Sequence, residues 1–239
     1  MAFTDRIERD DFAKMPQEYR ELLTRVLTIQ ADCEIGGPNV YARRWMLQAP
    51  TADDMHRVAR IVAEEIDHYR KFARILADLG VDVSYLLHRD NSERLVDAFH
   101  EKDPPTWGDV AAFCALIDRV GRFQGEEFHN SSYRPIDAIL PGIMQEEVGH
   151  IAFGVQKLQE LCKTEEGAAE AQAAVDRWVP RGLDMFGRAS SRRAERYLYW
   201  GLKRRTNEQA RQEYLAEITT LIDNLGLKMP DVAAHRVYV

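Results

Sequence analysis

The chain has 239 residues, is 45% hydrophobic and 30% charged, and carries a formal net charge of −7. That length fits one large domain or two small ones, and the acidic balance excludes a general nucleic-acid binder, whose affinity rests on neutralising phosphates. No apolar run approaches the ~20 residues a membrane helix needs, and "MAFTDRIERDDF" at the N-terminus lacks the apolar segment of a secretory signal.

Three cysteines, Cys33, Cys114 and Cys162, are odd in number and show no C-x-x-C spacing. They read as reduced thiols of a cytoplasmic protein, packed as small hydrophobes.

Nearly the whole chain carries helical periodicity. Pro16 suits the start of a first helix, in which Leu23, Leu27 and Ala31 line one face. "GGPNV" at 36–40 is expected to interrupt or kink it, since Pro38 removes a donor and two glycines loosen the backbone. Thr51 and two acids open a second helix that ends near Gly80. "HEKDPPTWGDV" breaks the chain before a third helix from about Trp107 to His129. After the turn "NSSYRP", Pro135 or Pro141 opens a fourth helix reaching about Cys162. Further helical stretches follow around "AAEAQAAVDRWV" and "ERYLYWGLKRRTNEQARQEYLAEITTLIDNL", and no strand pattern is present. The expectation is an all-α helical bundle of four long helices with appended C-terminal helices.

Two segments break the apolar logic of their helices. In "EEIDHYRKF" the stripe of Val58, Ile61, Phe72 and Leu76 passes through Glu65 and His68; in "IMQEEVGHIAFG" the same holds for Glu147 and His150. Residues three apart share a helix face, and burying a charge costs several kcal/mol unless it is paired. One inward E-x-x-H arises by chance. Two on separate bundle helices match the di-metal carboxylate bundles, which add one acid from each of the other two helices. Glu34 continues the first helix's stripe, whereas Asp32 falls on the face expected to meet solvent. On the third helix Trp107, Ala111 and Cys114 lead to Asp118, in competition with Glu126, Glu127 and His129 nearer the helix end, where charge is commonly solvated. Glu34 precedes Glu65 by 31 residues and Asp118 precedes Glu147 by 29, whereas Glu127 precedes it by only 20. Matching hairpins related by a pseudo-twofold therefore select Asp118. Four carboxylates and two imidazoles suit two iron ions, or manganese, better than zinc. An oxygenase, a manganese redox enzyme, an iron store and a metal-free buried ion-pair network all remain compatible with that residue set.

The motifs "MPQEYRELL", "CEIGG", "EEIDHYRKF", "SSYRP", "QEEVGHIAFG", "DRWVPRGLDMFG", "WGLKRRTNEQARQ" and "LGLKMPD" span nearly the whole chain. Together they resemble the phenylacetic-acid-degradation family of ferritin-like proteins. The resemblance implies one ferritin-like unit over residues 1–239, with a bundle core at about 17–163 and a helical extension at about 164–239. It also implies metal ligation by Glu34, Glu65, His68, Asp118, Glu147 and His150, as in the family's catalytic rather than its metal-impaired subunits. The implied activity is a di-iron monooxygenase that uses O2 to epoxidise or hydroxylate an aromatic, phenylacetyl-CoA-like thioester. A related structural subunit or a second copy of the chain would be its assembly partner. A separate reductase is expected to supply electrons, because no flavin or iron–sulfur signature is present. The polar stretch "RFQGEEFHN" points away from an unsubstituted phenyl ring as substrate, and the chain stops sooner after "LKMPD" than the family leads one to expect. Lys203, Arg204 and Arg205 stand out in an acidic chain, as a solvated helix end or as a patch for the phosphates of a CoA substrate.

Overall fold

The computed structural model describes residues 3–100 and 105–233. Part of the "HEKDPPTWGDV" break, residues 101–104, and the last six residues of the chain lie outside that range. Among the described residues the architecture is all-α, with one isolated bridge between Ile7 and Tyr133 in place of any strand. No helix among the described residues is long and apolar enough to cross a membrane.

The bundle is built from α1 (Gln17–Val40), α2 (Ala52–Asp78), a composite third helix and α6 (Leu140–Leu161). The third helix comprises α3 (Trp107–Ala112), a π-helical turn at Phe113–Ile117, and α4 (Asp118–Glu127). A single turn, α5 (Arg134–Asp137), precedes α6. Short connections pair α1 with α2 and the third helix with α6, as expected for antiparallel neighbours. Beyond the bundle lie α7 (Glu165–Asp184), α8 (Arg192–Tyr199) and α9 (Asn207–Asn224).

Threonines set four of the helix starts. Thr51, Thr106, Thr164 and Thr206 each accept a backbone N–H from the first turn, and at Thr106 and Thr206 the third helical residue bonds back to complete a capping box.

Three expectations are corrected. "GGPNV" does not end α1: the helix runs through Pro38 to Val40 and loosens only afterwards, in a π-helical turn at Tyr41–Trp45. Pro38 has no N–H to offer the Glu34 carbonyl, so the backbone irregularity begins beside a site residue. The third helix is likewise interrupted, by the π turn just before Asp118. The final stretch is two helices rather than one, because the chain turns at Gly201 with φ of +62°.

Two apolar clusters fill the interior. One gathers Tyr41, Trp45, Ile61, Phe113, Phe153 and Trp178. The other gathers Leu23, Ala31, Phe72, Phe128, Ile143 and Trp200. Along α1, α2 and α6 the change from one to the other falls at Glu34, at Glu65–His68 and at Glu147–His150. The polar residues form a layer between two dry halves.

Candidate metal centre

All six residues singled out in the sequence enter that layer. Glu34, Glu65, His68, Asp118, Glu147 and His150 are each 7% exposed or less. Potential donor atoms of Glu34, Glu65, His68 and Glu147 lie within 4.8 Å of one another, as do those of Glu65, Asp118 and His150. Glu65 belongs to both groups. Glu147 also spans them, with Oε1 3.6 Å from His68 Nδ1 and Oε2 3.8 Å from His150 Nδ1. The result is two adjoining positions, one beside Glu34 and His68, the other beside Asp118 and His150, with two carboxylates between.

A second ring of groups aims the first. His68 Nε2 lies 2.8 Å from Glu146 Oε2, and His150 Nε2 lies 2.9 Å from Glu64 Oε2. Gln30 donates to Glu34 Oε1 at 2.5 Å, and the Tyr41 hydroxyl donates to Asp118 Oδ2 at 3.2 Å. Sequence reading missed all four. For Glu64 and Glu146 the signal was present, since both motifs read E-E-x-x-H. The partners of Glu34 and Asp118 had no comparable mark. Outside them, Arg57 and Arg60 each lie 3.1 Å from Glu64, and Lys71 lies 3.7 Å from Glu146.

Protons hold the metal-free layer together. Burial pushes Asp118 and Glu147 well above the carboxylate range, and the Glu65 charge adds to it. Burial would lower His68, but its bond and charge contact with Glu34, the Glu65 charge and the Glu146 bond outweigh that and raise it to about 9. His150 is raised in the same way by Glu65, Asp118 and Glu64 against its burial. Glu65 is itself held below its usual value: burial raises it, but the two histidines win.

The donor set fits two cations. Glu147 Oε2 and His150 Nδ1 are buried without a hydrogen-bond partner, although His150 Nδ1 is only 3.1 Å from Glu65 Oε1. Unsatisfied buried polar atoms cost free energy, and both point into the space between the carboxylates. With metal bound and each Nε2 proton engaged by Glu64 or Glu146, both Nδ1 atoms would be free to ligate. Oxygen-rich donors of this kind suit iron or manganese.

Space beside the cluster is narrow and largely apolar. A cavity of about 40 Å³ is bounded by Gly37, Phe99, Phe113, Ile117, Gly121 and Met185 together with the carboxylates. A larger one, about 530 Å³, opens at the end of α4 beside His129, Met144 and Arg204.

The basic segment is not a free cationic patch. Glu127, expected at a solvated helix end, is 4% exposed and accepts the backbone N–H of Arg204 at 3.1 Å and of Arg205 at 2.9 Å. The Arg205 guanidinium is shared among Glu126, Glu127 and Glu213. Lys203 is half-buried, with Nζ 5.7 Å from the centre of the Tyr197 ring. Arg204 alone of the three is exposed.

An all-α bundle whose buried layer carries paired E-x-x-H segments and two further acids has the architecture of a ferritin-like protein, with a cluster that could hold metal. Residues 6–237 match the sequence model of the phenylacetic acid catabolic proteins, and the chain belongs to that family. It is 25% identical over 233 residues to one of the subunits of the 1,2-phenylacetyl-CoA epoxidase of Escherichia coli (strain K12), an alignment covering 96% of this chain and 74% of that protein. It is 26% identical over 176 residues to benzoyl-CoA oxygenase component B of Aromatoleum evansii, covering 68% of this chain but 37% of the relative. These relationships make the chain an oxidoreductase.

Proposed function

We propose that the chain is the metal-bearing subunit of an oxygenase that inserts one oxygen atom into an aromatic acyl-CoA thioester, as epoxide or hydroxyl, with electrons from a separate reductase. One observation carries the reading: six buried carboxylate and imidazole side chains form two adjoining positions with Glu65 and Glu147 between them. Glu34 and His68 would hold one ion, Asp118 and His150 the other. Two iron ions so held supply dioxygen activation. The chain's own residues set the conditions. Glu64 and Glu146 fix the histidine tautomers, and Phe99, Phe113, Ile117 and Met185 keep water from the open side. No side chain has to act as a nucleophile.

The two relatives act on phenylacetyl-CoA and benzoyl-CoA by their names, which supports a thioester substrate here. Purified protein reconstituted with iron should hold two ions per chain and consume oxygen when given a reductase and a suitable member of a panel of CoA thioesters. Well under two iron or manganese ions per chain, with Glu65→Ala no different from the parent, would remove the reading. Two ions bound but no thioester-dependent oxygen uptake would leave an iron-binding bundle.

A further inference from the structure

Tyr41, Trp45 and Trp178 form an unbroken series of rings from the buried carboxylates to the inner face of α7. The Tyr41 hydroxyl donates to Asp118, 3.2 Å from Oδ2, and lies 3.1 Å from Cys114 Sγ. Its ring centre is 5.4 Å from that of Trp45, and Trp45 is 5.6 Å from Trp178, both edge to face. Phe113 wedges among the three at 4.9 to 5.3 Å. All four rings are at most 1% exposed. At the far end the Trp178 indole N–H donates to Asp109 Oδ1 at 3.0 Å, and Asp109 is paired with the partly exposed Arg177. The Arg181 guanidinium lies 4.9 Å over the same indole.

Aromatic rings pack this way in cores with no further role. Three features here go beyond packing. The series consists of the ring types most easily oxidised by one electron, with phenylalanine only as a wedge. Its inner end touches a carboxylate of the candidate metal centre. Its outer end touches a second buried carboxylate, one side chain from solvent. Each terminal ring therefore has a carboxylate in hydrogen-bond contact to take its proton when an electron leaves, Asp118 once metal has displaced the proton it holds.

We propose that Tyr41, Trp45 and Trp178 are a one-electron relay that drains oxidising equivalents from the metal centre when dioxygen reacts without substrate in place. The inference rests on the oxygenase reading above. With metal held there and oxidised by dioxygen, Tyr41 would lose one electron, and its phenol proton would move to the Asp118 carboxylate. Trp45 returns an electron to Tyr41, which recovers its proton from Asp118. Trp178 then reduces the Trp45 cation and releases its N–H proton to Asp109. A small thiolate at the surface supplies the last electron, Asp109 returns the proton to the Trp178 indole nitrogen, and two thiyl radicals from two such cycles combine as a disulfide.

The test has two arms. Iron-loaded protein mixed with dioxygen without substrate and freeze-quenched should show a tyrosyl radical by electron paramagnetic resonance. Tyr41→Phe should abolish that signal in protein loaded to the same two irons per chain, whereas Trp45→Phe and Trp178→Phe should prolong it by blocking the refill. In protein loaded with zinc, which is redox-inert, and pulsed with azidyl radical, which oxidises tryptophan, tyrosyl absorption should grow as tryptophanyl absorption decays, and Tyr41→Phe should reduce that growth. Two bound irons with no radical in either arm, or a signal indifferent to Tyr41→Phe, overturns the relay and leaves the oxygenase reading standing. Failure to bind iron shows separately, in the metal analysis, and removes both.

Discussion

His68, on α2, is held by Glu146, on α6: the imidazole Nε2 and the carboxylate Oε2 are 2.8 Å apart. The reciprocal pair, His150 of α6 and Glu64 of α2, sits at 2.9 Å. Each E-E-x-x-H segment thus orients the other's histidine, so the two helices must be in register before either imidazole is aimed. Outer partners of this kind are worth roughly 10–100-fold in metal affinity. We expect Glu146→Gln and Glu64→Gln each to weaken iron binding by about that range, measured by chelator competition. An affinity unchanged in both would show that the crossed pairs do not tune the site.

The metal-free protein should lose stability as pH rises. His68 is raised in the folded state to about 9, against roughly 6.5 in an unfolded chain. Its contribution is complete below that unfolded value and disappears as pH passes through about 9. Asp118 and Glu147 are raised too, so the native state holds protons that the unfolded chain releases near pH 4. All three act with the same sign. Melting temperature should fall by several degrees between about pH 6.5 and 9, given roughly 2–4 °C per kcal/mol at this chain length. Metal displaces those protons, so iron-loaded protein should show a flat or rising profile over the same window. Parallel slopes with and without iron would exclude the buried layer as their source.

Two glycines on facing helices should separate stability from activity. A Cβ at Gly154 of α6 would run into the backbone N of Ala115 and lie 2.6 Å from the Ala111 carbonyl. Neither can yield as a side chain does. Gly154→Ala should cost about 1–3 kcal/mol by overpacking, read from a denaturant midpoint. A Cβ at Gly121 would instead sit 3.6 Å from Glu147 Oε2, in ordinary contact. Gly121→Ala should fold normally and bind metal, yet lower turnover by narrowing the cavity above Glu147.

What the sequence revealed follows from periodicity. Charges placed on an apolar stripe at helical spacing are visible in a string of letters, and Glu34, Glu65, His68, Asp118, Glu147 and His150 all met in one layer. Contacts made across helices are not visible in that way. Asp32 read as solvent-facing from its angle on α1, yet it is 1% exposed because the loop after α2 folds over it. Its Oδ1 accepts from Arg94 Nη1 and its Oδ2 from the Leu95 N–H, both at 2.8 Å. The π turns escaped for a related reason: a single added residue in a helix leaves no compositional trace.

Arg94 is 3% exposed and also donates to the Arg89 carbonyl and the Asn91 side chain. Removing one partner of a buried pair leaves the other charge uncompensated. Arg94→Ala should therefore cost about 3–5 kcal/mol in urea unfolding. Replacing Asp32 and Arg94 together by apolar residues should recover part of that loss. A single-mutant cost below about 1 kcal/mol, the range of exposed pairs, would contradict the burial argument.

The basic segment separates into a clasp and a candidate contact. Arg205 is committed internally, and its removal leaves Glu127 buried with only backbone donors. Arg205→Ala should lower stability by about 3 kcal/mol, with any loss of activity following from unfolding. Arg204 is exposed, reaches inward only through a 3.4 Å contact to the Glu126 carbonyl, and lines the cavity of about 530 Å³. Replacing Lys203 and Arg204 with alanine should leave metal content and melting temperature in place. If the acyl-CoA reading holds, thioester affinity should drop several-fold, and the drop should shrink as salt is raised, because exposed charge is screened over ~10 Å at 0.1 M. Phosphate is met through charge and N–H donors together, so Arg204→Lys should keep the electrostatic part and lose some of the rest. Titration calorimetry with benzoyl-CoA and phenylacetyl-CoA at two salt concentrations gives the answer. Unchanged affinity in the double variant would reduce the segment to a structural clasp and shift the search for the thioester's phosphates to another face of the bundle.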